Sequence, residues 1–99
     1  MRTVPPVSPG EMLDEEFFKP LGLTKYRLAK DIGVPPQGIG DIVSSKRAVT
    51  ADTDLRLCRY FGSSDGWWLR SQAAYDTAIA RDAMSVELSR IERCSLLAA

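Results

Sequence analysis

The chain has 99 residues with no net charge and no histidine, and its 44% hydrophobic and 26% charged residues suit one small globular domain. Without histidine, neither the common catalytic triads nor the usual histidine-containing zinc sites can form, so we expect no enzyme activity, no metal and no cofactor. Two cysteines are too few for a disulfide framework and no apolar run approaches the roughly 18 residues of a membrane span, which favours a reduced, cytoplasmic protein.

The spacing of apolar residues and the capping signals predict an all-α fold of five helices. Ser8 is a suitable N-cap for the first helix, since Pro9 fits the first helical position and Glu11 completes a capping box. Pro20 and Gly22 are expected to end this helix. The remaining helices are predicted between Thr24 and Gly33, from Pro36, between Thr50 and Gly62, and from near Ser64.

These elements divide the chain into three parts. An N-terminal arm at 1–7 precedes a domain at 8–81 that includes the fifth helix, and a partly helical extension follows at 82–99. In the fourth helix, the helical spacing predicts an apolar stripe of Leu55, Cys58 and Phe61. The loops between helices are short, so consecutive helices are expected to pack as neighbours.

The second and third helices fit a helix-turn-helix unit, in which the third helix enters the major groove of DNA. A net charge of +4 on residues 19–59, between −3 on 1–18 and −1 on 60–99, agrees with a positive face there. The third helix contains Gly38 and Gly40, and each costs about 1 kcal/mol relative to alanine. Either they let the helix backbone approach DNA closely, or they allow close packing against another helix of the chain.

Two sets of DNA contacts are predicted around the third helix. Thr24 and Lys25 begin the second helix, where free backbone N–H groups favour a phosphate. Lys46 and Arg47 follow the third helix and are also predicted to contact phosphates, although they could instead form a solvated loop that offsets the helix dipole. The predicted base-reading residues are Gln37, Gly38, Asp41 and Ser44.

The fifth helix is predicted to carry a dimer interface. Trp67 and Trp68 are consecutive and point about 100° apart, so one can enter the core while the other meets a partner subunit. A two-fold operator requires a two-fold protein. The alternative is an exposed aromatic that only covers the fourth helix. The predicted interface residues are Trp67, Trp68, Gln72 and Tyr75.

The stretches SPGEMLDEEFFKPLGLTKYRLAKDIGVPP, KRAVTADTDLRLCRYFG and WWLRSQAAYD resemble the HigA family of antitoxins, within the phage-repressor-like (XRE) helix-turn-helix class. The resemblance runs from about Ser8 to Asp82. It differs from the family pattern in three places: Ser8 replaces histidine before Pro-Gly, Ser45 replaces glycine before Lys-Arg, and the recognition helix carries Gly38, Gly40 and Asp41 instead of arginine, asparagine or glutamate.

The resemblance implies an antitoxin that binds its own operator as a homodimer and neutralises a HigB-like ribonuclease toxin. Such a toxin should be basic because it attracts RNA, and Glu11, Asp14 and Glu15 on the first helix offer it an acidic face. The alternative is that these carboxylates only complement the helix dipole. Two other functions stay open, a protein-sequestering module with little specific DNA binding and an orphan transcriptional repressor.

Overall fold

The computed structural model describes residues 6–97, and this part of the chain contains six helices and no strand. The all-α prediction is confirmed. Residues 1–5 of the predicted arm lie outside the described residues, and the three-part division of the chain stays a prediction. In chain order the helices are α1 (residues 9–21), α2 (Lys25–Ile32), α3 (Pro36–Val43), α4 (Ala51–Phe61), α5 (Trp67–Ala83) and α6 (Ser85–Ser89).

The first helix changes its pitch before Pro20. It is α-helical at Pro9–Met12, π-helical at Leu13–Phe18 and α-helical again at Lys19–Leu21. In a regular α-helix the ring of Pro20 would crowd the carbonyl four residues earlier, and the wider π turn before it keeps the helix continuous. The prediction that Pro20 helps to end the helix is therefore wrong. The helix ends at Gly22, whose φ of 63° is left-handed.

The core lies where α1 to α5 meet. Leu13, Leu28 and Leu57 are completely buried and pack with Ile39 and Trp68. No helix among residues 6–97 is long and apolar enough to span a membrane. An aromatic cluster closes the side of the core where α1, α4 and α5 meet, with the ring centroids of Phe17 and Phe61 4.1 Å apart and those of Phe17 and Trp68 5.7 Å apart.

Helix α4 faces the core with a different residue from the one predicted. Leu55 is 50% exposed, whereas Asp54 is 1% exposed and lies in the core beside Leu57. Asp54 accepts hydrogen bonds from the first N–H groups of α5, which begins at Trp67 rather than near Ser64. Of the predicted stripe, Cys58 is buried and Phe61 packs against the core, so the prediction is wrong only for Leu55.

Helix α1 packs closely against the C-terminal end of α3 through Gly10. A Cβ atom at this buried glycine would lie against the carbonyl oxygen of Ile42 and 2.6 Å from that of Val43. Only a residue without a side chain allows the two helix backbones to approach so closely. This contact, which the sequence analysis missed, holds α3 by its inward face and leaves its other face free.

Candidate nucleic-acid interface

The turn between α2 and α3 is fixed by its backbone. Gly33 has a φ of 74°, and the N–H groups of Gly33 and Val34 both donate to the carbonyl of Ala29. Pro35 and Pro36 then start α3 in a new direction. Because Ile39 and Ile42 are buried against the core, the opposite side of α3 faces outward. Helix α3 is therefore short, fixed to the core on one side and accessible on the other, as a recognition helix must be to contact DNA.

The predicted base-reading residues lie on this outward side. Gln37 and Ser44 are exposed, while Gly38 and Asp41 are partly covered. The Ser44 hydroxyl donates to the carbonyl of Asp41 at 3.3 Å, so part of its hydrogen-bonding capacity serves the end of the helix. The structure brings the four positions together on one surface, and their roles in base readout stay a prediction.

Gly38 and Gly40 each lie beside the end of a flexible cationic side chain, and no helix backbone packs against them. A Cβ atom at Gly38 would lie 3.3 Å from Nη1 of Arg47, and one at Gly40 would lie 3.4 Å from Nζ of Lys25. Apart from α3 and these two side chains, no described atom lies within 4 Å of either position. The close-packing explanation for these glycines therefore lacks a packing partner within residues 6–97, and the open face remains available.

The segment after α3 folds back onto the end of that helix. The N–H groups of Lys46 and Arg47 donate to the carbonyl of Asp41 at 2.8 and 3.2 Å. Nη2 of Arg47 also lies 3.6 Å from Oδ2 of Asp41. Ser45 makes the turn with a φ of 63°, a left-handed conformation that favours glycine. The glycine that the resemblance implies at this position would adopt this conformation without strain.

Thr24 has a local structural task at the start of α2. Its hydroxyl accepts a hydrogen bond from the N–H of Arg27 at 3.1 Å, as an N-cap does. Lys25 is half-buried and its ammonium extends from α2 to the surface of α3. Phosphate binding by Thr24, Lys25, Lys46 and Arg47 stays a prediction.

An ionic cluster between α2 and α4 was not recognised from the sequence. Oδ2 of Asp31 accepts hydrogen bonds from the Tyr60 hydroxyl at 2.6 Å and from Nε of Arg27 at 2.7 Å. The bond from Tyr60, followed by that from Arg27, lowers the pKa of Asp31, and the same contact raises the pKa of Tyr60. The Arg27–Asp31 spacing is visible in the sequence, but the tyrosine comes from another helix.

The predicted dimer residues have different environments. Trp68 is 1% exposed within the chain, so its indole belongs to the core and the prediction that it contacts a partner is wrong. Trp67 is half-buried and packs edge-to-face on Trp68 with centroids 4.9 Å apart. Gln72 accepts a hydrogen bond from the N–H of Val49, and Tyr75 is half-buried.

The predicted acidic face lies partly on the π-helical turn of α1. Glu11 and Glu15 are exposed, while Asp14 is partly covered. Nζ of Lys19 lies 2.7 Å from Oε1 of Glu15 and 3.5 Å from Oδ2 of Asp14, and hydrogen bonding to Glu15 is the largest cause of its raised pKa. One cation therefore neutralises part of the acidic face.

Comparison with known proteins identifies similar helix-turn-helix proteins. The helix-turn-helix family pattern matches residues 15–68, more than half of the chain. The virulence-associated protein I of Dichelobacter nodosus is 46% identical over 86 residues, which are 86% of this chain and 80% of the relative. The antitoxin HigA-1 of Vibrio cholerae is 35% identical over 71 residues, 72% of this chain and 67% of the relative.

Two similar solved structures contain DNA. The Pseudomonas aeruginosa antitoxin HigA with the higBA promoter has a TM-score of 0.82 and 34% identity, and the match covers 93% of this chain and 99% of that one. The antitoxin GraA in complex with its operator has a TM-score of 0.85 and 31% identity, covering 100% of this chain and 98% of that one.

Proposed function

Since this chain belongs to the HigA antitoxin family of helix-turn-helix regulators, which are not enzymes, we propose that it is the antitoxin of a toxin–antitoxin module and represses its own operon. It binds operator DNA as a dimer and neutralises a HigB-like ribonuclease. The observation that carries this proposal is the outward face of α3, where the cationic ends of Lys25 and Arg47 lie beside two glycines.

The basic side chains support DNA binding by this face. Lys25, Lys46 and Arg47 surround α3, whereas Asp41 is its one acidic residue and lies beside Arg47. Contacts from these cations to phosphates would supply the salt-dependent part of the affinity. The likeness to two proteins solved with promoter or operator DNA supports DNA binding by this chain. In a helix-turn-helix protein the second helix of the unit, here α3, enters the major groove.

A dimer would place two copies of α3 on two half-sites. We assign Trp67, Gln72 and Tyr75 to the proposed interface, and Ile79 extends it because it lies on the same helix and is 46% exposed. The apolar side chains after α5 favour a larger interface, since Val86, Leu88, Ile91, Leu96 and Leu97 are all exposed in the single chain.

Tyr75→Asp with Ile79→Asp should yield monomers in analytical ultracentrifugation, whereas the exposed Thr77→Asp should leave the dimer intact. A wild-type chain that sediments as a monomer at all concentrations contradicts the interface.

A mobility-shift assay with the DNA upstream of the chain's own gene tests the repressor function. Specific binding should exceed binding to a shuffled duplex of equal composition by about 10³-fold or more at physiological salt. Half-sites should lie about 10 base pairs apart, centre to centre. Equal binding to both duplexes contradicts operator recognition, and a toxin complex that survives in that case would favour the protein-sequestering alternative. Absence of any toxin complex would leave the orphan repressor.

A further inference from the structure

We propose that Arg47 and Lys25 read guanine bases in the major groove, in place of the side chains that Gly38 and Gly40 lack. Two residues outside α3 would then carry base recognition on its surface, instead of acting mainly on phosphates. This inference rests on the proposed operator binding and names the bases that the same site prefers.

The position of Arg47 carries the first step. Its Nη1 lies 3.3 Å from the position of a Cβ at Gly38, and its Nη2 lies 3.6 Å from Oδ2 of Asp41. Gly38 and Asp41 are three residues apart, so they are neighbours on one face of α3. The guanidinium therefore lies along the outward face of the helix. The backbone N–H of Arg47 donates to the carbonyl of Asp41 and holds the chain close to that face.

Lys25 lies at the opposite edge of the outward face, since Gly40 is two residues, or about 200°, from Gly38 around α3. It is the first residue of α2, yet its Nζ lies 3.4 Å and its Cδ 3.8 Å from the position of a Cβ at Gly40. The ammonium also lies 5.2 Å from the centroid of the Tyr26 ring. A side chain longer than that of alanine at Gly40 or Gly38 would compete with these cations for space, since a Cβ alone would already be in contact with them. The two glycines are thus explained as sites that receive side chains from neighbouring segments.

The chemistry of this surface matches a G·C pair. Guanine presents two acceptors, N7 and O6, in the major groove, and cytosine presents the N4 amino donor beside them. Arg47 supplies a fork of donors and Asp41 supplies an adjacent acceptor, so the pair has the complementary order of groups. A phosphate would be attracted by Arg47 but repelled by the neighbouring carboxylate of Asp41, which favours a base edge. Lys25, at the other edge of the outward face of α3, offers a donor to a guanine at a different position of the half-site.

Selection of binding sites from randomised duplexes tests this inference. The full-length chain should select a motif with guanine at defined positions of each half-site. Arg47→Ala should lose one of these preferences by about 5- to 150-fold in relative affinity and leave the rest of the motif. Arg47→Lys should keep the salt dependence but weaken the same preference, because lysine lacks the planar fork. Gly38→Leu should have the same effect as Arg47→Ala by displacing the guanidinium.

Lys46→Ala is the matched control, since Lys46 follows the same helix and nothing places its side chain over a glycine of α3. It should weaken all sequences alike and reduce the salt slope by about one. If Arg47→Ala and Lys25→Ala behave like Lys46→Ala and keep the full motif, the inference is overturned and both residues act on phosphates. A wild-type chain that selects no motif would overturn operator recognition itself, together with this inference.

Discussion

At the scale of single residues, Asp54 connects two helices. It is buried, and its two oxygens accept the N–H groups of Gly66, Trp68 and Leu69 at 2.8, 2.8 and 3.0 Å. Gly66 occupies the N-cap position of α5 and has no side chain to cap the helix, so a carboxylate from α4 takes that role. Burial is the strongest influence on the pKa of Asp54 and raises it. The hydrogen bonds from Gly66 and Leu69, then Cys58 and Trp68, together outweigh burial and lower the pKa.

Asp54→Asn should destabilise the fold by about 2–3 kcal/mol at pH 7, because an amide cannot accept from all three N–H groups and loses the charge at the helix N-terminus. Urea unfolding measures the difference. Asp52→Asn is the control on the same helix, since Asp52 makes an exposed pair with Arg56 and its loss should cost well under 1 kcal/mol. Equal effects of the two substitutions would contradict a capping role for Asp54.

The difference in unfolding free energy between wild type and Asp54→Asn should depend on pH. The pKa of Asp54 is lower in the folded chain than in the unfolded chain, where it is about 3.9. Its charge therefore stabilises the fold fully above the unfolded value, and this stabilisation is lost as the pH falls through the folded value. The gap between wild type and Asp54→Asn should narrow below about pH 4. A gap that stays constant from pH 7 to pH 3 would show that the charge contributes nothing.

At the scale of helices, three glycines differ in what surrounds them. Gly10→Ala should destabilise the fold by about 1–3 kcal/mol or more, since the new methyl group would press on the backbone carbonyls at the end of α3. Gly38→Ala and Gly40→Ala should each stabilise it by several tenths of a kcal/mol, because only flexible cationic ends are near. Thermal unfolding distinguishes the cases. A loss of stability at Gly38 or Gly40 would favour the packing explanation.

Sequence patterns predicted which segments are helical, because caps such as Ser8 and Thr50 and the apolar spacing within each segment are local signals. They did not predict features that depend on contacts between segments. The close approach at Gly10 requires a second helix, and the burial of Asp54 requires the first turn of α5. The π turn before Pro20 depends on local geometry, yet an apolar pattern with a period of 3.6 residues does not contain it.

The candidate DNA surface was predicted in position but only partly in detail. The turn at Gly33 and the open face of α3 followed from sequence spacing. The lengths of Lys25 and Arg47 allow many positions, and only the folded chain shows that both ends lie over α3. Because these side chains are long and flexible, the sequence alone could not predict which of them contacts bases and which contacts phosphates.

At the scale of the whole molecule, the described chain is elongated. It measures 53 × 26 × 21 Å with a radius of gyration of 16.9 Å, whereas a compact domain of this length has a radius of about 13 Å. The segment after α5 accounts for this shape, because residues 84–97 are exposed throughout. An extension that leaves Val86, Ile91 and Leu97 exposed is expected to be covered by another chain.

The separation of charge along the molecule suggests where the toxin docks. Segment 19–59, which contains α2 and α3, carries +4, while residues 1–18 carry −3 and include the acidic face of α1. Asp14→Lys with Glu15→Lys should slow association with the cognate toxin and remove much of its salt sensitivity, since charges at an interface rim act mainly on the on-rate. Lys19→Gln should have the opposite effect, because it frees the two carboxylates that Lys19 now neutralises.

Stopped-flow kinetics and titration calorimetry measure both effects. Glu87→Lys with Glu92→Lys is the control, because it changes the net charge by the same amount on the C-terminal segment. If the association rate depends only on the net charge of this chain, the two double charge reversals will slow association equally. If it docks on the C-terminal segment, the control pair will have the larger effect and Lys19→Gln none. A specific loss at Asp14 and Glu15, together with faster association of Lys19→Gln, assigns toxin binding to α1 and leaves α3 free for DNA.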